Sequence, residues 1–574
     1  MTAPITPATR LLAAATLHSP ACFTAAALAS VVGGASSLAI PRLLADLLDG
    51  LLAHRSQSGR LAVLALVLAV SASAAALGTL AGTAGGAAAV GWLRRGVVRR
   101  VLDAGLAGQR RYSAPDATGR LVGSCEEAGY AGIAVLDTLV SVATAAAGVV
   151  ALWLIDWRPA AAFLLGVPLV HLTVRLFFRR TSAAFSRYQE IQADIAARLV
   201  DALAGVRSIR AGGTEAVERD RVLAPLAALS RAGAQIWHLQ RSTAWQLGLL
   251  LPAIEILVLA VTGHGVIVGR ISPGQLLAAG GYTALALGLF RQVDAILGLA
   301  GAAAAARRTA EVLGQPVPTR GERVLSGSPV GCAVVLRGVT TSIEGRTVLD
   351  RIDLSVPAGT SLAVVGRSGH GKSNLAALIG RLHDPDTGEV LLDGVPVGEL
   401  GDEQLARCVA YAFERPALLG RTIRGTIGLG RPGAGEAVIE RAARAARAHE
   451  FVRRLPDGYD TEPARAPLSG GETQRLGLAR AFAQDARVVV LDDATSSLDT
   501  ATEAEVGEAL ATAFADRTRI VVAHRASTAA GADRVAWLVD GRIRAVAPHA
   551  RLWQDQDYRA LFGVRTEDPC PQLP

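Results

Sequence analysis

The sequence predicts a chain in two parts: an α-helical membrane domain with six transmembrane helices, followed by an α/β domain. Three observations predict it. Six apolar runs, nearly free of charge, all lie before residue 305, and a helix needs about 20 such residues to cross a bilayer. The arginines between these runs fall alternately in crowded and in sparse loops, as membrane topology requires. Beyond a Gly/Pro-rich stretch the pattern changes to short β-branched runs separated by amphipathic segments, which read as buried strands alternating with helices.

The six runs cover roughly 20–46, 61–92, 131–155, 159–178, 243–268 and 274–304. They are rich in Ala and Gly, which lets helix backbones approach closely. Between the second and third stand Arg94, Arg95, Arg99, Arg100, Arg110, Arg111 and Arg120, and between the fourth and fifth at least ten more, from Arg179 to Arg241. The other loops hold only Arg55 and Arg60, then Arg158, then Arg270. Positive residues stay cytoplasmic, so both termini are expected inside. The long loops carry helical patterns, for example over 186–222, so the membrane helices are expected to continue into the cytoplasm. Their tips near Tyr112–Arg120 and Gly205–Glu215 are the segments expected to touch a domain below. Glu255 falls mid-span just after Pro252, and Arg291 and Asp294 interrupt the sixth run. Ionisable groups at that depth face a cavity or a partner. Substrate contact and a local ion pair that fixes packing both remain open for Glu255.

Composition narrows the class. The chain has 574 residues, too many for one compact domain. Its 51% hydrophobic content and mean hydropathy of +0.35 are high for a soluble protein. The net charge of +8 does not gather into a basic, aromatic-laced patch, so nucleic-acid binding is not expected. Five cysteines (Cys22, Cys125, Cys332, Cys408 and Cys570) are scattered and lack CxxC spacing, which argues against a disulfide framework or a zinc site. No cleavable leader is legible. Of 58 basic residues only Lys372 is a lysine, so that position calls for a compact ammonium where a guanidinium would not serve. Residues 1–313 are read as the membrane domain, 314–332 as a linker, 333–563 as the α/β domain and 564–574 as a disordered tail.

Lys372 lies in Gly366-Arg367-Ser368-Gly369-His370-Gly371-Lys372-Ser373, with Asn374 next, after the apolar run Ser361–Val365. This is a phosphate loop. Its glycines let backbone N–H groups turn around phosphate oxygens, Lys372 places a charge on the β- and γ-phosphates, and the Ser373 hydroxyl can ligate Mg²⁺. A second apolar run, Val488–Leu491, delivers Asp492 and Asp493 to a strand end, where α/β sheets bind ligands. Asp492 suits a Mg²⁺ ligand and Asp493 a group that orients the attacking water.

Leu468-Ser469-Gly470-Gly471-Glu472-Thr473-Gln474-Arg475 resembles the LSGGQ signature of ATP-binding-cassette (ABC) proteins. The order also matches: phosphate loop, signature, acidic strand end, Ser496-Ser497-Leu498-Asp499, then His524. Arg454–Glu462 looks like the exporter-type cassette, in which Glu462 belongs to the segment facing the membrane domain. The resemblance spans the whole chain and implies a half-size ABC exporter that works as a dimer in the lipid bilayer. It implies ATP and Mg²⁺ as ligands, each ATP lying between one chain's phosphate loop and the other chain's signature. Ser469, Gly470, Gly471 and Glu472 then serve the partner's nucleotide, and His524 contacts the γ-phosphate and attacking water.

Three positions depart from the family pattern. Asp493 stands where glutamate is usual. Glu414 replaces the glutamine that reaches a Mg²⁺-bound water, and Ile343 replaces the aromatic residue that stacks on adenine. All three concern the nucleotide on this chain's own phosphate loop, while the signature is intact apart from Glu472. The expectation is one subunit of a heterodimer with a weakly hydrolysing site of its own, against a homodimer in which Asp493 suffices. The expected activity is ATP hydrolysis coupled to outward movement of a small amphipathic molecule, lipid or peptide across a bacterial plasma membrane. A siderophore-type importer with this build and an ATP-gated membrane protein without a pump cycle stay open. The six spans argue against a soluble ABC ATPase, and the transported substrate is not readable.

Overall fold

The computed structural model describes residues 7–105, 112, 114–288, 293–317, 321–325, 331–343 and 345–563. Arg291, Cys570 and the expected tail 564–574 lie outside the described residues, as does part of the expected linker. Contacts divide the chain into two compact units that separate near residue 315.

The first unit is helical. After a short helix α1 (Pro7–Leu17) come α2 (Pro20–Leu52) and α3 (Ser58–Asp103). Helix Ala114–Gly119 and a π-helical turn Arg120–Ser124 lead into α4 (Cys125–Ile155). Then follow α5 (Trp157–Ala204), α6 (Leu226–Ile267), α7 (Pro273–Gly288) and α8 (Val293–Leu313). Among the described residues five helical stretches are long and apolar enough to span a bilayer: Pro20–Leu52, Ser58–Asp103, Pro115–Ile155, Trp157–Phe177 and Glu215–Ile267. The sixth expected span is helical on both sides of residues 289–292, which lie outside the described residues. Helices α3 and α5 run far beyond the thickness of a hydrocarbon core at 1.5 Å per residue. The pattern over 186–222 resolves into the end of α5 and two short helices, Val206–Gly212 and Glu215–Leu223, parted by Gly213 in a left-handed conformation.

Large apolar side chains such as Leu66, Leu80, Leu154, Leu165 and Ile256 are exposed, which suits a lipid-facing surface. The buried seams use small residues instead. A methyl group built on Gly281 would lie 2.8 Å from Pro41, and one on Gly148 would lie 3.1 Å from the Tyr282 carbonyl. Polar pairs close the two ends of the bundle. Asp49 accepts from Ser272 Oγ at 2.5 Å and Gly274 N at 2.7 Å, and Arg270 meets Asp156 at 2.6 Å. At the other end Arg120 bridges Asp116 and Glu311. Glu255 is half-buried on α6, next to Ile254, which packs against Gly166 of α5.

The second unit holds two sheets. An antiparallel four-stranded sheet has the order β2-β1-β4-β5, from β1 (Val334–Ile343), β2 (Arg346–Val356), β4 (Thr387–Leu392) and β5 (Val395–Pro396). A six-stranded sheet has the order β10-β9-β3-β8-β7-β6. Its strands are β3 (Ser361–Val365), β6 (Val409–Phe413), β7 (Val488–Asp492), β8 (Thr518–Val522), β9 (Arg534–Val539) and β10 (Arg542–Ala547). All neighbours are parallel except the β9–β10 edge pair. Every residue of β3 is buried, as for a central parallel strand covered on both faces. A separate apolar cluster joins Ile423, Ile427, Ile439 and Phe451 to Leu476, Leu478 and Phe482 of helix α10 (Gly470–Gln484), so the segment between β6 and β7 forms a helical subdomain.

Candidate nucleotide site

The sheet order places the chemistry. Val364 pairs with Val522, Val522 with Asp492, and Asp492 with Phe413. One row across four strands is thereby fixed, and the residues just past it are the phosphate loop, His524, Asp493 and Glu414. All emerge at the carboxyl edge of the sheet, where open α/β sheets bind ligands.

The phosphate loop joins β3 to helix α9 (Lys372–Ile379). Gly369 and Gly371 adopt φ of +82° and +94°, which a side chain would strain, and a Cβ on Gly371 would also lie 2.8 Å from Leu349. Lys372 is 6% exposed, and its ammonium donates to Gly366 O at 2.9 Å and Arg367 O at 3.1 Å. Two of its three N–H groups thus hold the loop's own carbonyls, centring the charge in the loop. Burial lowers its pKa, opposed by Asp493 and Asp492. Arg367 and Ser368 are exposed at the loop tip, and Asn374 is half-buried in the first turn of α9. His370 accepts from Asp540 N at 3.2 Å, tying the loop to the β9–β10 turn.

Ser373 Oγ donates to Asp492 Oδ1 at 2.8 Å. Burial raises the Asp492 pKa, reinforced by Asp493 and Glu414 and opposed by the Ser373 hydrogen bond and Lys372. Asp493 takes a left-handed backbone, φ +54°, and its Oδ2 lies 3.0 Å from His524 Nε2. Glu414 is exposed, with Arg415 Nε 3.7 Å from its carboxylate. Ile343 ends β1 half-buried, paired with Arg346.

Ser469 caps α10 in a reciprocal capping box. Its backbone N–H and hydroxyl both donate to Glu472 Oε2, at 2.8 and 2.9 Å, and Glu472 N donates back to Ser469 Oγ at 3.2 Å. Gly470, exposed, and Gly471, half-buried, form the first turn, whose N–H groups and dipole favour an anion.

This donor set suits a nucleoside triphosphate with a divalent cation. It offers a glycine cradle, one buried ammonium, and a hydroxyl paired with a carboxylate at a strand end.

The family model described as "ABC transporter transmembrane region" matches residues 23–290, and "ABC transporter" matches 349–496. The ABC transporter ATP-binding protein RamA of Streptomyces coelicolor is 46% identical over 79% of this chain and 71% of its own length. The chain belongs to the ABC transporter family. An ATP-dependent lipid A-core flippase of Chromohalobacter salexigens is 33% identical over 72% of each protein. The solved structure of a bacterial Atm1-family ABC exporter with ATP bound has the same fold, with a TM-score of 0.78 at 23% identity, over 96% of this chain and 99% of that one. The membrane domain and cassette together give this chain the build of a half-size ABC transporter with the exporter fold, a multi-pass membrane protein of a type that works as a dimer and couples ATP hydrolysis to transport.

The structure adds residues of the ABC cassette that sequence reasoning did not single out. Gln474 of α10 links three segments at once. Glu503 is contacted by Arg525 and accepts from Thr495 Oγ1 and Thr528 Oγ1 at 3.2 and 3.1 Å, joining the turn after Asp493 to the residue after His524. Gln474 sits inside the signature stretch and Glu503 four residues past Asp499, but only their hydrogen bonding gives them a role.

Proposed function

We propose that this chain is an ATP-driven exporter subunit whose own nucleotide site binds firmly and hydrolyses slowly. The observation that carries the reading is the convergence of Lys372, Ser373–Asp492 and Asp493–His524 on one sheet edge, with an aspartate in the water-orienting position. Lys372 and the loop N–H groups hold the β- and γ-phosphates. Ser373 and Asp492 would hold Mg²⁺, with Glu414 reaching a water on it; the ion, when bound, neutralises charge developing on the phosphate oxygens. His524 holds the Asp493 carboxylate and faces the γ-phosphate, and Ile343 packs on the base without stacking. Asp493 has one methylene fewer than glutamate, and water positioning is sensitive to such reach.

Ser469–Glu472 complete a partner's site, where turnover is fast; this favours a heterodimer over two copies of this chain. The cargo is amphipathic and lipid-like, a reading supported by the named lipid A-core flippases and by the small-residue seams of the helices. Loop arginines support cytoplasmic termini in a bacterial plasma membrane. Residues 1–313 form the membrane domain and 333–563 the cassette in this reading.

Reconstitution tests it. Proteoliposomes holding the chain, alone and with a second half-transporter, are assayed for ATP-dependent flipping of a fluorescent lipid, with a non-hydrolysable analogue as control. Flipping with the analogue alone would favour a gate over a pump. Full, coupled turnover by the chain alone would overturn the asymmetric heterodimer.

A further inference from the structure

Gln474 stands in the second turn of α10 and is 3% exposed. Its Nε2 donates to Glu414 O at 2.8 Å and to Ser496 Oγ at 2.9 Å, while its Oε1 accepts from Ser497 N at 2.9 Å. Both N–H groups and the carbonyl of one amide are therefore committed to two loops. One is the loop after β6 that carries Glu414. The other is the turn after β7, in which Ser496 N reaches back to Asp493 O at 3.2 Å. The signature begins one turn earlier on the same helix, and a methyl built on Gly471 would lie 3.2 Å from Ser497 O. No other side chain meets these demands at this length: glutamate lacks the donors, lysine lacks the acceptor, and asparagine is a methylene short.

We infer that Gln474 is a positioning residue that couples this chain's own nucleotide site to the signature it presents to its partner. The inference rests on the reading that nucleotide sites are shared between two chains. A force on Ser469–Gly471 from the partner's nucleotide moves α10. Gln474 then carries the Glu414 loop and the Asp493 turn with it, because separating them leaves buried polar groups unpaired. The linkage works equally in reverse, as a coupling between two sites must.

The test uses the full chain in lipid nanodiscs with its partner subunit and a non-hydrolysable ATP analogue. Hydrogen exchange is followed in the phosphate loop (366–373), the Glu414 loop (412–418) and the Asp493 turn (493–499), alongside analogue affinity and ATP turnover. In the wild type the analogue protects all three segments. Gln474→Met keeps the volume and loses every hydrogen bond. It is expected to retain phosphate-loop protection and analogue affinity within about twofold, to lose protection of both other segments, and to lower kcat about tenfold with little change in KM. Gln474→Glu keeps the acceptor for Ser497 N and loses the donors, so only the Glu414 loop uncouples. Wild-type protection of both loops in Gln474→Met, with kcat unchanged, overturns the inference. So does identical behaviour of the two variants. Absence of analogue protection at the signature (468–472), followed in the same experiment, overturns the shared-site reading itself, and the inference with it.

Discussion

His524 Nε2 lies 3.0 Å from Asp493 Oδ2, and this contact fixes the direction of the shorter acid. Asp493 is held from both sides, by the imidazole and by a left-handed backbone that aspartate tolerates better than most residues. What the carboxylate lacks is reach. Asp493→Glu is expected to raise ATP turnover at this site by about tenfold or more, since displacements near 1 Å cost about a hundredfold in well-tuned sites. Asp493→Asn should abolish turnover there while leaving nucleotide binding in place. Single-turnover hydrolysis by the purified chain checks both. No gain with glutamate would mean that the aspartate already suffices.

Lys372 anchors a second prediction. Its ammonium bridges two loop carbonyls from a buried position, a geometry that suits three tetrahedral donors and not a planar fork. Lys372→Ala is expected to weaken nucleotide binding by about a hundredfold and to stop transport, and Lys372→Arg to fare little better. Fluorescent-nucleotide titration measures the loss, with thermal unfolding as the control for folding. Unchanged affinity in Lys372→Ala would remove the phosphate-loop assignment.

These residues show how much a linear reading can carry. The strand Ser361–Val365 was legible to the residue, because four apolar positions follow a serine and end at a glycine-rich turn. The acidic strand end was legible because β7 is a run of valines closing on two aspartates. Five of the membrane spans were legible from hydropathy, and the helical patterns of the long loops foretold that the helices run on beyond them, as α3 does to Asp103 through a basic stretch. Gln474 and Glu503 were invisible as actors for another reason. Gln474 acts through hydrogen bonds to loops 22 and 60 residues away, and Glu503 by joining the turn after Asp493 to the segment after His524; no spacing rule encodes such contacts. The left-handed backbone of Asp493 was equally hidden, since aspartate adopts that conformation without a glycine to announce it.

Asp492 yields a pH dependence. Burial raises its pKa, with Asp493 and Glu414 adding to the shift. A raised carboxylate pKa means that the folded, ligand-free cassette holds this proton more tightly than the unfolded chain does. Its contribution to stability is present below the ordinary aspartate range and is lost as pH rises through the folded value. A divalent cation needs the ionised form and so competes with the proton. Mg²⁺-dependent nucleotide affinity is therefore expected to fall on acidification at a pH above the usual aspartate range of about 3.9. Asp492→Asn should lose both the metal dependence and this acid limb. Calorimetric titrations across pH 4–7 would show it, and an acid limb that persists in Asp492→Asn would assign it to another group.

Glu472 titrates in the opposite sense. It stands where the signature more often has glutamine, and its carboxylate accepts from the Ser469 backbone N–H and hydroxyl. The backbone hydrogen bond is the main cause of its lowered pKa, with burial opposing. A depressed carboxylate contributes stability above its unfolded value, and that contribution is lost as pH falls through the folded value. Glu472→Gln can still accept through its amide oxygen and keep the box closed. It is therefore expected to change stability at neutral pH by only about 0.5 kcal/mol, and to flatten the acid side of the stability profile. Ser469→Ala removes the cap and is expected to cost about 1 kcal/mol at every pH. Denaturant unfolding of both variants at pH 7 and at pH 4 separates the two effects. An unchanged acid slope in Glu472→Gln would show that the carboxylate's charge plays no part in holding the start of the signature helix.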